Sequence, residues 1–282
     1  MDVPTKEFRT AYDRVMAKWP ADTVSCAVPT PFGVTQVHSC GPGDGSPLLL
    51  LPGGGATSAS WYAGAADLAR THRVHAVDLI GDPGLSVPDP GRPIRTAGDV
   101  TAWLDALLDG LGVGSAAVAG HSYGGWIALR YALHAPHRVR RLALLDPTGC
   151  FAGYRAVYLL RALPMLLRPA ARRTRAFLEW ETGGVPLDPD WLRLQEAAAG
   201  FPTVRPVTGP RPDAAALRVL EVPVLLLVAA NSRTHDSRRV AARAAAVLPH
   251  VRTVVLPDVS HHALPHTASP ELTFRLAEFL GR

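Results

Sequence analysis

The chain has 282 residues, 48% hydrophobic and 19% charged, which excludes a disordered chain and allows one domain with a sizeable buried core. Its formal charge of +5 comes from scattered arginines with no basic run and no aromatic-interleaved basic motif, so nucleic-acid binding is not expected. Three cysteines (Cys26, Cys40 and Cys150), without CxxC spacing, argue against a disulfide framework or a zinc site and for a reducing, cytoplasmic setting.

In chain order, Phe8, Tyr12, Val15, Met16 and Trp19 recur at roughly helical spacing. They predict an amphipathic helix with no apolar core of the kind a signal peptide needs. Nowhere do eighteen apolar residues run together, so no membrane partner is expected. Val24–Val28 and Val34–Cys40 flank the turn-rich Pro29-Thr30-Pro31-Phe32-Gly33 and read as an antiparallel hairpin. Leu48–Leu51 is an unbroken apolar run ending at Pro52-Gly53-Gly54-Gly55, the pattern of a strand buried on both faces. A helix over Trp61–Arg70, a strand over Val74–Val77 and a helix over Ala97–Leu111 follow. Then come a strand at Ala116–Ala119, a helix to about His134 and a strand at Val139–Leu145.

From Cys150 to Asp213 the rhythm breaks into a helical, Arg- and Leu-rich stretch punctuated by prolines. It resumes with a strand at Val222–Ala230, a helix at Asp236–Leu248, a strand at Val251–Leu256 and a helix at Pro270–Leu280. Short apolar strands alternating with helices predict an α/β fold, a mostly parallel sheet covered on both faces. The interruption, residues 150–213, is where a helical cap would be inserted, leaving 1–149 and 214–282 as the core. The site should lie at the carboxyl ends of the strands.

Gly120-His121-Ser122-Tyr123-Gly124 carries the decisive chemical signal. A sharp strand-to-helix turn exposes a serine Oγ at the amino end of a helix, and its strained backbone needs glycine two positions away on either side. An apolar strand before it and Gly125-Trp126-Ile127-Ala128-Leu129 after it supply the required context. Acyl transfer also needs two backbone N–H donors for an oxyanion. Tyr123 would give one and the glycine loop, at Gly54, the other. No Lys-Ser/Thr follows the glycines, so a phosphate-binding loop does not fit. Late in the chain, Asp258-Val259-Ser260-His261-His262 offers a general base after the last strand, in the order this chemistry uses. Counting from Leu256-Pro257 favours His261 and counting back from Ala263-Leu264-Pro265 favours His262; we take His261.

With these motifs the whole chain resembles the α/β-hydrolase superfamily, and in particular small bacterial carboxylesterases of the naproxen-esterase kind. The similar stretches are Thr30-Pro31-Phe32-Gly33, the segment from Val74 to Asp82, the turn at Ser122, and Pro223–Val228. The resemblance implies an ester-cleaving serine hydrolase working through an acyl-enzyme, with no metal or organic cofactor and a small ester-type molecule as its only partner. A thioester or lactone would suit the same chemistry, and the chain would be a monomer or homodimer. Two departures stand out. Pro52 replaces the family's histidine before the first glycine. After Pro223–Val228, where the family places an acid, this chain has Asn231 and Ser232. Asp236 reads better as a helix cap. Asp146, at the end of the strand before the interruption, is the leading triad acid, beside the readings of Asp236 or no acid at all. Without an acid, a non-hydrolytic protein on the same scaffold, a cyclase, lyase or ligand-binding receptor, would be the alternative. Six arginines between Phe151 and Phe177 are read as solvated, while Tyr154, Tyr158, Leu159, Leu163 and Met165 are expected to line or pack an acyl pocket.

Overall fold

A computed structural model describes residues 5–202, 206–266 and 270–281. Helix α1 (Lys6–Met16) is capped by the Thr5 hydroxyl and buries Phe8, Tyr12 and Val15, the face its spacing predicts. The hairpin is formed by β1 (Val24–Thr30) and β2 (Gly33–Cys40), paired antiparallel down to Thr30 opposite Gly33. Next come β3 (Ser46–Leu51), α2 (Tyr62–Leu68), β4 (His72–Val77) and a two-residue strand, β5 (Val87–Pro88). The helix predicted over Trp61–Arg70 is α-helical over Tyr62–Leu68, and a 3-10 turn over Ser58–Trp61 leads into it. Helix α3 (Ala97–Gly110) starts at a capping box between Thr96 and Asp99. Strand β6 (Ala116–His121), α4 (Tyr123–His134) and β7 (Val139–Leu145) complete the first part.

Helices α5 (Ala156–Leu167), α6 (Ala171–Glu181), α7 (Pro189–Ala198) and the short α8 (Ala214–Arg218) lie between β7 and β8 (Val224–Ala229). The chain closes with α9 (Ser237–Val247), β9 (Val251–Leu256) and α10 (Pro270–Leu280). Among the described residues the sheet runs β1-β2-β4-β3-β6-β7-β8-β9, with β5 beside β2. From β4 to β9 every neighbouring pair is parallel; the pairings of β2 are antiparallel. No described helix is long and apolar enough to cross a membrane.

The two-residue period of a strand explains how an unbroken leucine run serves two cores. Leu49 and Leu51 pack with Trp103, Leu104, Ile127 and Val240 on one side of the sheet. Leu48 and Leu50 pack with Trp61, Leu68, Leu276 and Phe279 on the other. A third cluster, of Phe8, Tyr12 and Val15 with Phe177, Leu178 and Trp191, joins α1 to α6 and α7. It seats the interposed helices above the carboxyl ends of the strands.

Candidate active site

The turn after β6 places Ser122 at φ 52°, ψ −114°, immediately before α4. The conformation is strained for a residue with a side chain, and it is fixed from both sides. Ser122 N–H donates to the Leu145 carbonyl (2.9 Å), and its own carbonyl accepts from Trp126 and Thr148 N–H (3.2 Å each). The flanking glycines are obligatory for close packing. A Cβ on Gly120 would strike the Gly124 backbone, and one on Gly124 would strike the carbonyls of Leu51 and Pro52. A Cβ on Gly53 would lie 2.9 Å from His121 Nδ1 and 3.3 Å from Ser122 Cβ, so the glycine loop presses on the serine turn. Gly54 lies against Tyr123, within 3.5 Å of its Cβ by the same construction.

Asp146 caps the end of β7, the strand next to β6, also at positive φ (43°) and with its N–H donating to the Leu227 carbonyl (2.7 Å). Its side chain is fully buried. Oδ2 accepts from His261 Nδ1 (2.7 Å), and Oδ1 accepts from His235 Nε2 (2.9 Å) and Ala229 N–H (3.1 Å). Burial opposes its ionisation, but hydrogen bonds from His235 and His261 outweigh that and hold the carboxyl well below the usual carboxylate range. With an ionised acceptor at Nδ1, the His261 ring carries its proton there, and Nε2 accepts from Ser122 Oγ–H at 2.9 Å.

His262 points elsewhere. Its ring stands at 85° to that of His261, and Tyr158 O–H donates to its Nε2 (3.2 Å). Asp236, the other candidate acid, is exposed and caps α9 by accepting from Arg239 N–H (3.1 Å). Of the side chains expected at the acyl pocket, Met165 lines a cavity of about 260 Å³ that also contains Gly54, Ser122, Phe177, Leu178 and Trp191. Leu159 and Leu163, which α5 turns outward, and Tyr154, which precedes the helix, do not; all three are exposed. Arg155, Arg161, Arg168, Arg172 and Arg175 face solvent as read, while Arg173 is half-buried. Among the described residues no group of three or more His, Cys, Asp or Glu could hold a metal ion.

Three supports were not visible in the sequence. His235 is one. Asp82 is another: it is buried, its pKa is raised to about 6 by that burial, and it accepts from Gly55 N–H (3.1 Å) in the glycine loop. The third is Glu181, at the end of α6 and 1% exposed. Its Oε1 accepts from Arg233 N–H (3.3 Å) and His261 N–H (3.2 Å), and its Oε2 from His262 N–H (3.1 Å). One carboxylate thus ties the loops after β8 and β9. In Glu181→Gln one oxygen becomes an amino group facing a donor, so the histidine loop loses its anchor. We expect kcat on p-nitrophenyl acetate to fall about tenfold or more with KM little changed, and Glu181→Asp to recover part of it. Steady-state kinetics on the three proteins, with thermal melts to show that each is folded, would check this; a rise in KM alone would contradict it.

Burial also keeps histidines around the site neutral. It pushes His262 and His266 down to about 4 and His121 well below the ordinary 6.5. The unfolded chain takes up these protons near pH 6.5, whereas the folded chain resists until about pH 4. Between those values unfolding binds protons, so stability falls as pH falls, by about 1.4 kcal/mol per pH unit for each such histidine. Thermal melts should therefore show Tm dropping between pH 7 and pH 5, and a flat profile would contradict the burial.

Comparison with known proteins adds to this geometry. A family described as "Alpha/beta hydrolase family" matches residues 48–276. "Carboxylesterase YbfK" of Bacillus subtilis (strain 168) is 29% identical over 269 residues, covering 90% of this chain and 87% of the relative. "Uncharacterized carboxylesterase nap" of the same strain is 30% identical over 262 residues, 89% and 84% of the two chains. Among solved structures, naproxen esterase (carboxylesterase NP) from Bacillus subtilis superposes with a TM-score of 0.90 at 27% identity, covering 99% of each chain. Carboxylesterase CesB (YbfK) does so with 0.89 at 28% identity, covering 97% of this chain and 96% of that one.

Proposed function

Given that the chain belongs to the alpha/beta hydrolase family, we propose that it is a serine carboxylesterase working through an acyl-enzyme on Ser122. The observation that carries this reading is the unbroken line from Ser122 Oγ to His261 Nε2 (2.9 Å) and from His261 Nδ1 to Asp146 Oδ2 (2.7 Å). The two Bacillus subtilis relatives, both named carboxylesterases, support it. His261 takes the serine proton as Oγ attacks the ester carbonyl, and buried Asp146 stabilises the imidazolium. The N–H groups of Gly54 and Tyr123 hold the oxyanion, with α4 directed amino-end first at the developing charge. Collapse of the tetrahedral intermediate expels the alkoxide, which receives the proton from His261. Water then attacks the acyl-serine by the same relay, and the acid leaves. A thioester or lactone would react by the same steps.

In this reading residues 150–213 form a cap over a core of 1–149 and 214–282, and the cavity of about 260 Å³ beneath it takes a small apolar ester. A non-hydrolytic role was favoured by the missing acid after β8, and the hydrogen bond between Asp146 and His261 supports the hydrolytic reading instead. Incubation with p-nitrophenyl butyrate and with a fluorophosphonate tests the proposal. Turnover and covalent labelling, both abolished in Ser122→Ala, are expected. A folded wild-type protein that neither turns over esters nor is labelled would return the scaffold to the non-hydrolytic class.

A further inference from the structure

Helix α5 is turned inside out relative to an ordinary surface helix. Val157, Leu159, Leu160, Leu163, Leu166 and Leu167 are all exposed, Leu160, Leu166 and Leu167 by 68%, 64% and 70%. At 3.6 residues per turn these six positions fall within about half of the helix circumference. They make one continuous apolar face, with Ala162 buried and Tyr158 and Met165 half-buried on the opposite side. A water-facing helix normally turns such a face to the core, and contiguous apolar patches on a protein surface mark contact sites.

Charge says what kind of contact. From Phe151 to Leu178 the chain has six arginines and no Asp or Glu. Arg175 is engaged by Glu196 (2.6 Å) and Arg173 is half-buried, but Arg155 and Arg168 at the two ends of α5, Arg161 on it beside Trp180, and Arg172 at the start of α6 are exposed. An outward leucine face bordered by guanidinium groups is the pattern of a helix that lies in a lipid–water interface, with side chains in the acyl boundary and cations among anionic headgroups. A second copy of the chain fits less well. A symmetric dimer through this face would set one arginine-rich segment against another with no acidic partner between them.

We propose that the α5 face docks the protein on an anionic phospholipid surface. This is attachment to a membrane rather than a span across it, and it departs from the sequence reading, which expected no membrane partner because no stretch is long and apolar enough to span one. Docking would also orient the site. Met165 and Leu166 of the same helix, with Pro169 beyond its end, line the cavity that holds Ser122, so a docked α5 would hold that cavity next to the lipid.

The proposal does not depend on the ester chemistry and is tested by binding. Purified full-length protein is sedimented with vesicles of phosphatidylcholine alone or mixed with phosphatidylglycerol. At least about tenfold more protein should pellet with the phosphatidylglycerol vesicles, and high salt should release it. The double variant Leu160→Glu/Leu167→Glu should lose the binding, with its Tm and its turnover of p-nitrophenyl acetate unchanged, since neither residue lines the cavity. Equal recovery with both vesicle types, or binding indifferent to the double variant, would overturn the proposal. So would a wild-type dimer in sedimentation velocity that ignores vesicles and disperses in the double variant, an outcome that assigns the face to a second copy.

Discussion

His261→Ala is expected to lower kcat on p-nitrophenyl butyrate by about three to six orders of magnitude, while His262→Ala stays within about tenfold of the wild type. The two residues are adjacent in sequence, and their different fates follow from direction. His261 Nε2 faces Ser122 Oγ at 2.9 Å, whereas His262 Nε2 accepts from Tyr158 O–H at 3.2 Å. Without His261 the serine has no acceptor for its proton, and the tetrahedral intermediate has no acid for its leaving group. Fluorophosphonate labelling of Ser122 should slow in parallel, because it needs the same deprotonation. If His262→Ala were the inactive variant, the base would have to be reassigned.

Asp146→Asn is expected to cost on the order of 10⁴ in kcat, and Asp236→Asn almost nothing. The Asp146 carboxylate accepts from two histidines and one backbone N–H in a fully buried place. An asparagine there turns one acceptor into a donor. The His261 ring then loses either its tautomer or its orientation, and an imidazolium would form with no anion beside it. Because the histidine hydrogen bonds hold Asp146 far below the usual carboxylate range despite burial, it stays charged at every pH at which such an enzyme is assayed. The acid limb of kcat against pH therefore should not report Asp146. Asp236 only caps α9 in solvent, so its replacement tests whether the effect is local. Full activity in Asp146→Asn would remove it from the mechanism.

Much of the architecture was legible because it depends on local patterns. The run Leu48–Leu51, the glycine loop and the glycine-flanked Ser122 are each contained in a few residues, and strand-to-helix alternation ordered them correctly. Asp146 could be nominated from its place at a strand end. The choice between His261 and His262 was finely balanced, since adjacent side chains on a turn diverge in a way that counting cannot resolve; here the rings stand at 85°. Glu181 and His235 were out of reach for a different reason. Glu181 meets His261 across 80 residues and His235 meets Asp146 across 89, and neither carries a local motif. On α5, composition marked an Arg- and Leu-rich helix but not the side to which the fold turns its leucines. Leu159 and Leu163 therefore looked like pocket walls and are exposed.

Glu181 has a bearing on protein engineering. The nucleophile and the acid stand on neighbouring strands of the sheet, while the backbone of the base hangs partly on a carboxylate from the interposed helices. Exchanging residues 150–213 for the matching segment of a relative, as a way to change which esters fit, would also exchange the hanger of His261. A chimera should keep its turnover number only when the graft brings a carboxylate to the same spot, so libraries that recombine this segment need the α6 terminus and the histidine loop inherited together from one parent.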